Sequence, residues 1–317
     1  MKLMIGAISV SKEKYKAIHE EARKTFDEVV LNLFGRQMTA EVVMALWLDD
    51  DAVISGTEPY TRAMLEQAPK TLKVISKHGV GIDNIDLQAC RERGITVCNT
   101  PGANAVAVAE AALGLMLSVL RKIPYSDRMI RSGGWKRPEG NLLKGALVGV
   151  LGMGNIGKNV ITRAEAFGAR FMAYDPFFDE AFAAAHGVER ASMEEILRQA
   201  DIVTLHVPST PETRGMINKE TLRQMKPNAV IINTARGELI KEDDLAEALR
   251  DGVIAGAGLD VFTKEPLTES PLFDLDNVVL TPHMAGNTAQ TTFEMGSWAL
   301  RNAVRVVKGE EGATIVR

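Results

Sequence analysis

From one end to the other, the chain alternates short runs rich in valine and isoleucine with longer stretches whose apolar residues recur at helical spacing. The runs are LMIGAI (3–8), DEVVLN (27–32), AVIS (52–55), KVISK (73–77), ITVCN (95–99), ALVGVLG (146–152), RFMAY (170–174), IVTLHV (202–207), AVIIN (229–233), AGAGLDV (255–261) and VVLT (278–281). Helical patterns lie between them at 103–120, 155–167, 193–200 and 242–252. The last opens on acidic residues and closes on a glycine, as helix termini prefer. A strand that returns through a helix must pair in parallel, so this order predicts βαβ units and parallel sheets. Five runs precede residue 100 and six follow residue 145, with the apolar helix joining them. Two open α/β domains with a cleft between them are expected, and a length of 317 residues fits two cores better than one.

Composition narrows the function classes. Apolar residues make up 46% and charged residues 25%, as in ordinary water-soluble domains. A net charge of −4 with scattered lysine and arginine leaves no basic footprint for nucleic acid and no polybasic segment for an anionic membrane. The N-terminal MKLMIGAISV reads as a first strand rather than a secretory signal. AVAVAEAALGLMLSVL (105–120) is too short to span a bilayer and carries Glu110 in its middle, so it reads as a buried or oligomer-interface helix. Cys90 and Cys98 fit no metal or redox spacing, which makes a cytoplasmic, reduced protein without a metal site the expectation.

The stretch LGMGNIGKNV contains Gly152-x-Gly154-x-x-Gly157. Glycine is common enough for the pattern alone to be weak, but here it follows an apolar strand and opens a helix. The first glycine allows the tight turn. The second lets backbone approach a pyrophosphate, and the third lets strand and helix pack closely. Amide N–H groups at the helix start then face the anion. Asp175 closes the next strand 18 residues beyond Gly157, near the roughly 20-residue spacing at which an acid binds a ribose 2′-hydroxyl. Pro176, Phe177 and Phe178 follow, with no arginine to neutralise a 2′-phosphate, so NAD is expected rather than NADP.

Three ionisable residues stand at or just past strand ends, where open α/β sheets bind ligands. Arg236 lies in NTARGEL, Glu265 in FTKEP and His283 in VVLTPH. An arginine can hold a carboxylate bidentately. A histidine can move a proton near neutral pH, and a carboxylate on its other ring nitrogen would set its tautomer. Singly, each residue has a bland reading as a surface ion pair or a turn former. Jointly, after a dinucleotide turn, they are the parts of an alcohol/carbonyl redox site. His206, inside a strand run, reads as a packed residue.

With these motifs in hand, the sequence resembles the D-isomer-specific 2-hydroxyacid dehydrogenase family, nearest to its phosphoglycerate dehydrogenase branch. The likeness runs from HGVGIDNIDL (78–87) through TPGANAVAVAE (100–110), GMGNIG, HVPSTPETRGMI (206–217), NTARGELI (233–240) and GLDVFTKEPL (258–267) to TPHMAGNT (281–288). The resemblance implies a Rossmann cofactor domain at 101–285 and a discontinuous, flavodoxin-like substrate domain at 1–100 and 286–317. It assigns catalysis to Arg236, Glu265 and His283. It assigns cofactor contacts to Gly152, Gly154, Asn155, Ile156, Gly157, Asp175, Val207, Thr234, Ala235, Asp260, Gly286 and Val80. Lys77, His78, Gly79, Val80 and Gly81, with Arg236, would bind the substrate, the loop using backbone N–H groups on its carboxylate. The cofactor would be NAD, the substrate a small 2-oxo or 2-hydroxy acid, and the assembly a homodimer through the cofactor domain, to which the 103–120 helix is suited.

The pattern departs from the branch at the turn after the third strand. Phosphoglycerate-type relatives often carry an arginine there, whereas VISGTEPYT offers Ser55, Gly56 and Glu58. Lys77, Arg131 or Arg137 can supply cationic charge instead. The substrate expectation is therefore phosphoglycerate-like, with glyoxylate, hydroxypyruvate or another small anionic-tailed acid as alternatives. With the chain ending at Arg317, an appended amino-acid-binding regulatory domain is not expected. An NADH-sensing corepressor-like protein is the rival from another class, separable by turnover without a protein partner.

Overall fold

A computed structural model describes residues 1–47 and 49–316. The chain divides into two compact units, Met1–Asn104 with Asn287–Arg317, and Ala105–Gly286. Residues 101–104 thus go with the first unit and Gly286 with the second.

The first unit opens with β1 (Lys2–Ile5), α1 (Lys16–Ala22), β2 (Glu28–Leu31) and α2 (Ala40–Leu46). It continues through β3 (Ala52–Ser55), α3 (Arg62–Glu66), β4 (Val74–Lys77), α4 (Leu87–Glu92) and β5 (Thr96–Cys98). Its five strands are all parallel in the order β2-β1-β3-β4-β5. Strand side chains alternate between faces, so Leu3 and Ile5 join Ile18 and Ala22 in one core while Met4 joins Val53, Leu65 and Ile75 in the other. Both faces are covered, which is why the strands read as continuous apolar runs.

The second unit begins with α5 (Ala105–Leu120), α6 (Ile123–Arg131), β6 (Leu147–Leu151), α7 (Asn155–Glu165) and β7 (Arg170–Tyr174). Next come α8 (Glu180–His186), β8 (Val188–Arg190), α9 (Met193–Gln199), β9 (Ile202–Leu205), α10 (Lys219–Leu222) and β10 (Val230–Asn233). It closes with α11 (Glu242–Arg250), β11 (Gly256–Leu259) and β12 (Val278–Leu280). The seven strands are parallel in the order β12-β11-β10-β9-β6-β7-β8. One strand more is present than expected. β8 has three residues on the sheet edge, two of them exposed and charged, so it leaves no apolar run to read. The long α12 (Ala289–Lys308) then returns to the first unit, where Ala299, Leu300 and Ala303 pack under β3 and β4.

The apolar helix α5 is buried within its own unit, packed on α7, β10 and β11. The shorter α6 lies against α5 and pairs Arg128 with Asp276 at 3.0 Å, but buries no residue and leaves Ile123 and Ile130 half-exposed. Among the described residues no helix is long and apolar enough to cross a membrane.

At the amino end of β3 sits one costly group. Asp50 is 0% exposed and neither carboxylate oxygen finds a hydrogen-bond partner among the described residues. Burial pushes its carboxyl up to about 7; Asp49, Glu28 and Asp51 reinforce the rise, and Lys2 only partly offsets it.

Candidate active site

Each sheet reverses its strand order once, between β1 and β3 in the first unit and between β6 and β9 in the second. Ligands of such sheets bind outside the carboxyl ends of the strands, at the reversal. In the second unit, that place holds the glycine turn. Gly152 has φ +99°, and a Cβ there would stand 2.6 Å from the His206 carbonyl oxygen. A Cβ on Gly157 would come within 2.1 Å of the Gly152 carbonyl oxygen, so helix and strand approach as only glycine permits. Gly154 differs, with nothing within 4 Å of its would-be Cβ. Two glycines are thus required by the fold, and the third keeps open space beside the first turn of α7, where Asn155, Ile156 and Gly157 begin the helix.

Asp175 stands at the rim of this space. Its Oδ2 accepts the Met153 N–H at 2.7 Å and its Oδ1 accepts the Phe177 N–H at 2.8 Å. The carboxylate is thereby fixed beside the turn with lone pairs to spare for a diol. Arg190 on β8, the kind of side chain that would welcome a 2′-phosphate, bonds Glu180 at 2.9 Å and lies over the Phe178 ring. At the ends of β9 and β10, His206 Nδ1 and Thr234 Oγ1 are buried and unpartnered among the described residues. His206 lies one residue past β9 rather than inside it, with Nε2 at 2.9 Å from Thr204 Oγ1. Burial pushes its ring down to about 3, so it is neutral. Val207 comes close to the Gly152 turn, its Cγ1 3.1 Å from a Cβ there. Open space, fixed carboxylate and unspent polar atoms suit an adenine dinucleotide.

The three ionisable residues come together on the neighbouring strands β10, β11 and β12. Glu265 Oε2 is 2.7 Å from His283 Nδ1, and its Oε1 accepts the Phe262 N–H at 3.0 Å. Partial burial pushes the Glu265 carboxyl up, but the bond and charge of His283, the Phe262 N–H and the charge of Arg236 outweigh it and hold it below the ordinary range. Arg236 is thus near enough to act electrostatically on Glu265. Its approach depends on Gly237, where a Cβ would fall 2.0 Å from the Phe262 carbonyl carbon.

The local chain explains these positions. Asn233, buried at the end of β10, accepts the Ala235 N–H at 3.0 Å and donates to the Arg236 carbonyl at 2.8 Å, pinning the turn that carries Thr234, Ala235 and Arg236. Asp260, 1% exposed, plays the same part for β12. Its carboxylate accepts the Thr281 hydroxyl at 2.6 Å and the Met284 and Ala285 N–H groups at 2.9 and 2.8 Å, and its carbonyl accepts the His283 N–H at 2.7 Å. His283 consequently sits at φ +49°, a left-handed conformation that a side chain adopts only when its surroundings enforce it. The half-exposed imidazole keeps Nε2 for chemistry while Nδ1 is tied to Glu265. Asn233 was missing from the sequence reading, although an asparagine closing a strand is a recognised turn former. Asp260, expected against cofactor, has its carboxylate turned to the 281–285 segment.

In the first unit, Lys77 at the end of β4 is buried, its ammonium donating to the Gly56 carbonyl at 2.5 Å and to Asn84 Oδ1 at 2.8 Å. His78 Nε2 is 3.2 Å from the Thr292 carbonyl oxygen, and burial, aided by Lys77, pushes its ring down to about 4. Gly79 takes φ +141°, a backbone that a side chain rarely adopts, and Gly81 ends the segment. Val80 is exposed, with its carbonyl accepting from Asn99 at 2.9 Å. Gly286 closes the second unit. No metal-binding group of histidine, cysteine or acidic residues occurs among the described residues.

The chain that carries this turn and cluster has relatives among known proteins. Residues 113–285 match the family described as D-isomer specific 2-hydroxyacid dehydrogenase, NAD binding domain. The chain is 42% identical over 304 residues to a D-3-phosphoglycerate dehydrogenase of Methanocaldococcus jannaschii, covering 94% of this chain and 58% of that protein. It is 40% identical over 278 residues to a glyoxylate reductase of Korarchaeum cryptofilum, covering 85% and 83%. A solved glyoxylate reductase from Paecilomyes thermophila superposes with a TM-score of 0.87 at 31% identity over 100% of this chain and 98% of that one. The chain belongs to the D-isomer-specific 2-hydroxyacid dehydrogenase family. Within it the chain is similar to the phosphoglycerate dehydrogenase branch, while spanning little more than half the length of the M. jannaschii relative.

Proposed function

We propose that the protein is an NAD-dependent oxidoreductase interconverting a small D-2-hydroxy acid and its 2-oxo acid. The observation that carries this reading is the 2.7 Å contact between His283 Nδ1 and Glu265 Oε2, under the charge of Arg236, in the same unit as the dinucleotide turn.

NAD is assigned to Gly152–Gly157, Asp175, Val207, Thr234 and Ala235, and when bound it supplies or accepts the hydride at C2. Arg236 binds the substrate carboxylate through its planar fork. In the reduction direction His283 Nε2 gives its proton to the carbonyl oxygen, and in oxidation it takes it back. Glu265 holds the imidazole by its other nitrogen and stabilises the cationic form. Asn233 and Asp260 hold the two turns in place, so the acid and the cation are aligned before substrate arrives.

Likeness to D-3-phosphoglycerate dehydrogenases makes a phosphoglycerate-type acid the first substrate to test. Glyoxylate or hydroxypyruvate reduction is the second reading, favoured by a buried Glu58 where a cation would serve a phosphate. A homodimer is assigned to the cofactor unit, where Val106 on α5, Ile123 and Ile130 on α6 and the 80%-exposed Trp135 supply exposed apolar surface. Two free buried cysteines suit the cytoplasm.

The test is NADH consumption against 3-phosphohydroxypyruvate, hydroxypyruvate, glyoxylate, pyruvate and 3-sulfopyruvate, with wild type and His283→Ala side by side. At least one acid is reduced by the wild type, and the variant loses at least about a hundredfold in kcat, the scale for a positioned acid–base group. No turnover across the panel, or an unimpaired variant, rejects the assignment.

A further inference from the structure

The strand-order reversal of the first unit, between β1 and β3, is the natural place for a ligand in that sheet. This chain fills it with a side chain of its own. Gly6 follows β1 and Gly56 follows β3, and the Glu58 carboxylate lies directly over both. A Cβ on Gly6 would stand 2.0 Å from Oε1, and one on Gly56 would stand 2.8 Å from Oε2. The two glycines make room for that carboxylate.

Glu58 is 1% exposed and held from several sides. Oε1 accepts the Gly56 N–H at 2.9 Å and the buried Tyr60 hydroxyl at 3.3 Å. The main chain of the turn is tied as well. Asn84 Nδ2 donates to the Glu58 carbonyl at 2.6 Å, and Gln37 donates to the Thr57 carbonyl at 2.6 Å. The backbone donor at the end of β3, which an incoming anion would use, is therefore already taken by an internal one. Lys77 stands in the same cluster, where its ammonium is already engaged by the Gly56 carbonyl and Asn84 Oδ1. The lysine stem leads on to Gly79, its Cε 3.6 Å from a Cβ placed there, which connects the crevice to the 79–81 donors.

We infer that Glu58 determines substrate choice. Its buried carboxylate occupies the anion position at the first unit's strand reversal. The enzyme therefore takes 2-oxo acids with an uncharged far end and turns away those ending in phosphate, sulfonate or a second carboxylate. Repulsion against the wrong substrate is an efficient source of specificity, since a buried like charge has no water to screen it. The inference rests on the function proposed above and names the substrate class for it.

The experiment compares kcat/KM for hydroxypyruvate and 3-phosphohydroxypyruvate, one carbon skeleton with and without phosphate, in wild type and Glu58→Gln. It adds calorimetric titration of both proteins with inorganic phosphate at saturating NADH. Wild type favours hydroxypyruvate by at least about tenfold, and the variant narrows the ratio by at least about tenfold, chiefly through KM for the phosphorylated acid. Wild-type preference for 3-phosphohydroxypyruvate overturns the inference even where the variant does not fold, and so does an unmoved ratio in a variant with native circular dichroism. If neither protein reduces either acid, the proposed function has failed separately and the titration decides for Glu58. Phosphate that binds the variant more tightly than the wild type supports it, and equal binding overturns it.

Discussion

Replacing Asp50 with asparagine should stabilise the protein, and only on the alkaline side. A carboxyl whose folded value is about 7 against an ordinary 3.8 binds its proton more tightly in the folded chain than in the unfolded one. Below about pH 4 both forms are protonated and nothing is lost. Between there and pH 7 the unfolded carboxylate ionises while the buried one is held neutral, so stability falls as pH rises, then levels off. At 1.36 kcal/mol per pH unit the whole penalty is ~4 kcal/mol, an upper bound and a large part of a typical 5–15 kcal/mol total. Asparagine is nearly isosteric and does not titrate. Its amide inherits the same lack of partners as the protonated acid, so that cost cancels to first order. The assay is urea unfolding at pH 5 and pH 8 followed by tryptophan fluorescence. Trp47 and Trp298 both lie in the first unit, whereas Trp135 is already 80% exposed and changes little. Asp50→Asn should gain 2–4 kcal/mol, order of magnitude, at pH 8 and markedly less at pH 5. An equal gain at both pH values, or none at pH 8, would refute the reasoning.

Two further variants probe the second unit. Glu265→Gln removes the anion 2.7 Å from His283 Nδ1, so kcat for reduction should fall by at least about tenfold while the circular dichroism stays native; an unchanged kcat would show that the pair does not serve the proton transfer. Asp175→Ala should raise the NADPH-to-NADH ratio of kcat/KM by at least about tenfold, because the carboxylate fixed by the Met153 and Phe177 N–H groups no longer faces a 2′-phosphate; an unchanged ratio would place the ribose elsewhere.

Contiguous motifs were the readable part of this molecule. Gly152, Gly154 and Gly157 sit within one turn, and Arg236, Glu265 and His283 each lie just past an apolar run. Local patterns therefore sufficed to place them at the carboxyl ends of strands. The parallel sheets were legible for the same reason, since buried strands need unbroken Val/Ile runs. Asn233 and Asp260 act on neighbours through side-chain bonds whose geometry no spacing encodes. In the sequence Glu58 is an acid where a phosphate would want a cation, and only the folded sheet shows that Gly6, some fifty residues earlier, leaves space for it. β8 escaped because an exposed three-residue edge strand carries no periodicity. The apolar 105–120 segment suggested two destinations, and one of its faces packs on α7, β10 and β11 while Val106 stays half-exposed.

The way Asp260 grips the 281–285 segment has an evolutionary corollary. Two of its partners are the main-chain amides of Met284 and Ala285, which any residue except proline possesses. The side chain of half-exposed Met284 can therefore change while the imidazole keeps its posture, whereas buried Ala285 is confined by packing. Variation at Met284 thus leaves the neighbouring His283 held, and proline there would remove the amide that Asp260 accepts.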